Sequence, residues 1–297
     1  MKAFLSVLLI AISISLHSQY YYNDIVGTQE TNRQMKTYMM NKVRSVSAKG
    51  TSTAGTLTPS DYSEYQEIRE NGKGLKISQF NNGNKTIYYN RFDDQGRLIS
   101  ITDSSSAIQN VTSYDYDAAG RINMVRNTSK DSSMDFNQSE VHIWIYNTAG
   151  MPEKMWRIIN NTDSLEVRYK PDENGNPGEE RTYRRGVETG GDYYYYDEKK
   201  QLNFVNTGII YYYFDDKKRL TDVVRYNLKA KRLLPDIMFE YDDNDHIVQR
   251  ITTTSSLNLG YLIWRYIYNE QGLKTKEALF NNQKEMTGRI DYNYTFQ

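Results

Sequence analysis

The sequence lacks cysteine, has only three histidines, and carries no net charge. Without cysteine there is no disulfide, no thiolate metal site and no acceptor for an N-terminal lipid. His17 lies in the leading apolar stretch, so only His142 and His246 remain, and neither sits in an HExxH or Cys/His cluster. A zinc site of ordinary composition is therefore nearly excluded. The G-x-S-x-G elbow, the Walker loop and the dinucleotide glycine fingerprint are also absent. Lys plus Arg and Asp plus Glu number 37 each, which disfavours nucleic acid, because binding a polyanion demands an excess of cations. The basic run at 181–185 (RTYRR) follows Glu179 and Glu180 and reads as a solvated strand face.

Apolar runs are scarce as well. Mean hydropathy is −0.77, and the exception is the start, where residues 1–18 (MKAFLSVLLIAISISLHS) place one early Lys before an apolar run and end on a small residue. This is the pattern of a secretory signal, short for a membrane anchor, with cleavage expected near Ser18. Export without cysteines fits a bacterial periplasmic, cell-surface or secreted protein. No stable membrane insertion is expected.

What the chain has in abundance is tyrosine, 27 against 9 Phe and 3 Trp. These recur in a repeated turn. Residues 92–98 read FDDQGRL, 116–122 YDAAGRI and 146–152 YNTAGMP, and five further copies begin at Pro171, Tyr196, Phe214, Tyr241 and Tyr268. Asp or Asn after the aromatic residue can bond to the backbone two positions on, and Gly near the close supplies the positive φ that a bulged hairpin loop requires. Lys200, Lys218 and Asp245 replace that Gly in three copies, at a cost on the order of 1 kcal/mol each, so those turns are expected to be looser or of another type. Between turns lie stretches of period-two alternation such as 140–146 (EVHIWIY) and 261–268 (YLIWRYIY), which read as half-buried antiparallel strands. Copies spaced about 25 residues apart mark a repeat architecture of roughly two strands each.

The pattern resembles the YD repeat of the Rhs and teneurin-like families, an aromatic-Asp-x-x-Gly-Arg-Leu turn followed by a strand. The resemblance covers roughly residues 80–297 and is strongest at 114–125, 92–101 and 214–224. It implies a curved, continuous ribbon of hairpins. In large relatives the ribbon forms a hollow shell around a toxin domain, and in teneurins a cell-surface adhesion scaffold. This chain is much shorter and has no Asp-Pro-x-Gly-Leu core motif, so a toxin cage is not expected.

The fold class expected is all-β, an antiparallel meander forming a curved repeat sheet, with one short N-terminal helix. Residues 29–40 (QETNRQMKTYMM) place Met35, Tyr38 and Met39 at helical spacing, with Thr28 as a possible cap. Such a helix would cover an open end or edge of the sheet. Residues 20–26 read as a first strand or an anchoring arm, 43–48 as a possible strand, and 49–60 as a loop or linker. The organisation is thus a signal at 1–18, an N-terminal region at 19–60 and a repeat domain at 61–297.

Chemistry is harder to find. The pairs Asp93-Asp94, Asp215-Asp216 and Asp242-Asp243 could serve a glycosidase only if carboxylates from different repeats faced each other. Residues 172–176 and 242–245 could hold calcium. In both cases the turn itself explains the acids. No catalytic residue, metal or cofactor is expected. The Tyr runs at 193–196 and 211–213 serve strand packing or form a stacking platform for sugars or a partner's strand, which nominates Tyr194, Tyr196, Tyr211, Tyr213, Trp144 and Trp264 as ligand contacts. The leading expectation is a non-enzymatic binding or scaffold protein of the envelope or exterior that contacts a glycan or protein. Alternatives are a polysaccharide-active enzyme or accessory using turn carboxylates and, as a minor one, an outer-membrane barrel.

Overall fold

In the computed structural model, residues 19–52, 62–81, 83–104, 108–131, 136–189, 209–227, 232–253 and 260–297 are described. The chain begins with a π-helical turn, Tyr21–Val26, that runs straight into helix α1, Gly27–Met40. Among the described residues nineteen strands follow, from β1 (Val43–Ser52), β2 (Ser63–Arg69), β3 (Gly74–Asn81), β4 (Asn84–Phe92) and β5 (Leu98–Asp103) to β18 (Lys274–Phe280) and β19 (Met286–Phe296). Each pairs antiparallel with the next along the chain, except that β12 (Val187–Glu188) hangs on β11 (Pro177–Arg184), which also pairs with β13 (Ile210–Phe214). Because β1 bonds to both β2 and β19, the meander closes on itself as a ring of eighteen strands. Closure removes the open edges that a flat ribbon would carry.

The helix sits inside this ring. Met35 and Tyr38 pack with Val46, Leu75, Phe92, Leu98 and Ile290 on one arc of the wall. Ile25 packs with Val125, Trp144, Met155 and Val167 on a second arc, and Tyr21, Tyr22 and Val26 with Tyr212, Val223 and Phe239 on a third. One helix can touch three separated arcs only from within. An eighteen-stranded barrel is wide enough to leave a channel, and this segment fills the end where the repeat turns lie. Met35 and Tyr38 are 1% and 3% exposed, and burying each such side chain contributes roughly 1.5–3 kcal/mol.

Three expectations change here. Residues 20–26 are not a strand but a helical turn that anchors the segment to the wall, because aromatic side chains on several sides of a helix can all be covered when the wall surrounds it. Thr28 lies within the helix, 2% exposed, and does not cap it; the α-helix continues from a helical Val26. Residues 43–52 form β1, a full member of the ring, so the anticipated linker at 49–60 begins as strand, and its residues 53–60 lie outside the described residues.

Candidate functional site: the plugged lumen and the outer face

The repeat turn explains its own sequence. In the copy at 116–122, the Asp117 amide donates to the Arg121 carbonyl at 2.8 Å and the Gly120 amide to the Asp117 carbonyl at 2.9 Å. Asp117 Oδ1 accepts the amides of Ala119 and Arg121, and its Oδ2 accepts Arg121 Nε at 2.7 Å. The guanidinium so pinned lies over the ring of Tyr146 in the next turn, 4.4 Å from its centroid, and that tyrosine donates its hydroxyl to the Ile122 carbonyl at 2.6 Å. Arg97 with Tyr116 and Arg219 with Tyr241 repeat the arrangement at 4.6 Å each, and His246 stacks on Tyr268 at 4.5 Å. Among the described residues four turns are thus latched to their successors along one rim.

The turns lacking Gly do not differ in type. Lys218 and Asp245 take φ of 61° and 66° and keep the same bonds, Lys218 to the Asp215 carbonyl at 2.8 Å and Asp245 to the Asp242 carbonyl at 3.2 Å. Three hydrogen bonds to the turn's Asp side chain outweigh a strain on the order of 1 kcal/mol. The copy containing Lys200 lies outside the described residues.

Polar contacts fix the helical segment to the wall. Glu180, fully buried, accepts the amides of Tyr20 and Tyr21 at 3.3 and 3.1 Å and the hydroxyls of Tyr169 and Tyr212 at 3.2 and 2.8 Å. Burial raises its carboxyl above the usual range, although those donors oppose the shift. A carboxylate at the amino end of a helix also complements its dipole. Asp24 reaches His142 Nδ1 at 2.6 Å and Trp144 Nε1 at 3.0 Å, while His142 Nε2 meets Glu140, itself bonded to Arg157 at 2.6 Å. Burial disfavours the charged imidazole, but Asp24 and Glu140 prevail and raise His142 to about 9. Burial likewise opposes ionised Glu140, yet His142 and Arg157 hold it down at about 2. Farther along, Asn32 accepts the Leu98 amide at 2.8 Å, Arg33 donates to the Asp245 carbonyl at 2.8 Å and Asn41 to the Gln271 carbonyl at 3.1 Å.

A cavity of about 120 Å³ remains between the helix and the wall, lined by Asn90, Gln66, Tyr38, Lys274 and Tyr292. Ligand pockets run to about 300–1,000 Å³, so this space suits a few waters. Among the described residues no three His, Asp or Glu side chains converge as metal ligands would. Asp93, Asp172, Asp215 and Asp242 are each engaged by amides of their own turns.

The nominated ligand contacts do not form one site. Trp144 and Trp264 point into the barrel, 3% and 4% exposed, and so offer no ring to an external ligand. Along β13 the alternation turns Tyr212 inward at 2% and Tyr213 outward at 49%, with Tyr211 partly covered. Tyr194 and Tyr196 lie outside the described residues. The outer face is strongly polar over β9 (Pro152–Ile159), β10 (Asp163–Pro171) and β11. There Glu166 joins Lys154 at 2.9 Å and Arg168 at 2.8 Å, and Glu179 joins Arg181 at 2.7 Å. Sequence reasoning missed Glu180 and Asp24 as the fixing points of the helix. The sequence offered no clear signal for either: Glu180 shares its inward register with Gly178 and Thr182 rather than with an apolar face, and Asp24 lies on a helical turn.

The RHS Repeat family model matches residues 92–131, the segment with two successive latched turns. That segment carries an RHS (YD) repeat. No curated protein matches this YD-repeat chain. Among solved structures, the crystal structure of TcdB2-TccC3-TEV is similar at 10% identity and TM-score 0.32, covering 77% of this chain and 14% of that one. The YD-repeat chain thus spans about one seventh of that protein's length. A porin-like protein from Bacteroides uniformis is similar at 11% identity and TM-score 0.38, covering 85% of this chain and 98% of that one. Another from Bacteroides vulgatus has 12% identity and TM-score 0.28 over the same shares, 85% and 98%.

Proposed function

We propose that this YD-repeat protein is a non-catalytic binding or scaffold protein of the bacterial envelope or exterior, contacting a glycan or protein partner through the outer face of the barrel. The observation that carries this reading is the helix fixed within the ring. With the lumen filled at the turn end and the strand edges closed, recognition falls to outward side chains, and Tyr65, Phe80 and Tyr213 are 49%, 44% and 49% exposed there. The envelope or exterior setting rests on the signal-like residues 1–18. An enzymatic reading needs two carboxylates facing across a substrate, whereas Asp93, Asp215 and Asp242, the first acid of each nominated pair, are held by amides of their own turns. Lipid on the outer face is disfavoured by Lys154, Glu166, Arg168, Glu179 and Arg181 in mid-strand.

The test is affinity capture with residues 19–297 on an envelope extract, scoring proteins and polysaccharides, alongside a hydrolase assay on any polysaccharide retained. A retained partner left chemically intact supports the proposal. Robust turnover by the purified protein overturns it.

A further inference from the structure

Strands β19, β1, β2, β3 and β4 cross the seam where the ring closes, and their outward residues register in rows. One row is Asn293, Ser47, Tyr65, Ser78 and Ile87. The neighbouring row is Asp291, Lys49, Ser63, Phe80 and Lys85. Ser47 and Ser78 flank the ring of Tyr65 in the first row, and Ser63 and Lys85 flank that of Phe80 in the second, so the surface sinks between the two rings. The hollow measures about 470 Å³, within the range of about 300–1,000 Å³ typical of ligand pockets. Tyr65 and Phe80 are 49% and 44% exposed.

Charge narrows the occupant. Lys49 and Lys85 line the hollow, both exposed, and among the described residues neither forms an ion pair. Of the acids beside it, Glu64 is buried and bonded to Tyr62, Gln66 and Gln79, and Asp291 is held by Arg289 at 2.9 Å. The hollow therefore presents two free cations, two aromatic faces, and hydroxyl and amide groups from Ser47, Ser63, Ser78 and Asn293. A peptide could add as a strand only to an open edge, and β1 to β4 are paired on both sides. Two lysines on a chain of zero net charge are too few for a nucleic acid.

We propose that this trough binds an acidic polysaccharide, a uronate-type chain whose sugar face stacks on Tyr65 or Phe80 while a carboxylate meets Lys49 or Lys85. The inference rests on the outer-face reading above and names the partner class.

The experiment titrates residues 19–297 calorimetrically with oligogalacturonate, with malto-oligosaccharide and poly-glutamate as comparators. Oligogalacturonate is expected to bind and the other two to bind at least 10-fold more weakly, on the order of one unit in log affinity. Tyr65→Ala and Phe80→Ala should each weaken binding about 2- to 12-fold. Joint Lys49→Gln and Lys85→Gln should weaken it and flatten its salt dependence. Ile267→Ala, at another exposed outer position, should leave affinity unchanged, and circular dichroism checks that every variant is folded. Poly-glutamate binding as tightly, ring truncations without effect, or no oligogalacturonate binding overturns the inference. If neutral sugar binds instead, or a protein partner is captured by another surface, the acidic-sugar inference falls while the outer-face reading stands.

Discussion

At the scale of the residue, the repeat signature is a set of mutual obligations. Arg121 is held by Asp117 of its own turn and lies on Tyr146 of the next, so changing either partner frees a guanidinium that organises two turns. Where the left-handed position is glycine, a side chain is strained: Gly120 has φ 79° with room for a Cβ, its nearest neighbour being Arg97 Nη1 at 3.5 Å. Gly120→Ala should therefore destabilise by about 1 kcal/mol through backbone strain alone, measured by urea denaturation. Lys218→Gly should do the reverse, with a gain below about 1 kcal/mol because glycine also loses more entropy on folding. A loss of stability in the lysine variant would show that its side chain contributes more than its backbone costs.

At the scale of the element, the helix is held by buried charges whose protonation can be read out. His142 is raised to about 9 from an unfolded value near 6.5. Its contribution is thus complete below about 6.5 and lost as pH climbs through about 9. Glu140, depressed to about 2 from 4.5, contributes above about 4.5 and loses that contribution as pH falls toward 2. Stability should therefore be greatest between these limits and decline on the alkaline side. Fluorescence of Trp144, whose indole bonds to Asp24, offers a local reporter in melts from pH 6 to 10. Asp24→Ala leaves His142 buried beside one carboxylate fewer and should cost about 3–5 kcal/mol, read as a lowered melting temperature.

The strands, the turns and the helix at 29–40 were legible because each is specified locally, by alternation, by Asp and Gly, or by helical spacing. The turns with Lys218 and Asp245 kept the common type because the Asp side chain carries the geometry. The helical state of residues 20–26 was not legible, since Tyr20, Tyr21 and Tyr22 have strand-like preference and only a surrounding wall makes their helix favourable. Trp144 and Trp264 were nominated for their size, but which face a strand turns inward depends on register, and a slip of one residue exchanges the faces.

At the scale of the molecule, the ring exists only when its first and last strands meet. Removing residues 286–297 should expose the edges of β1 and β18 and convert a closed barrel into an open, association-prone sheet. Size-exclusion chromatography would detect this, and a monomeric, folded product would contradict it. The seam also has a temporal meaning. Ser45 Oγ and Thr295 Oγ1 lie 2.7 Å apart although 250 positions separate them. A chain made from its amino end must hold β1 half-paired, and its helix without walls, until the final strand has been synthesised. Folding whose decisive contact is so distant is slow, so most of the molecule must stay soluble while it waits for its own carboxyl end.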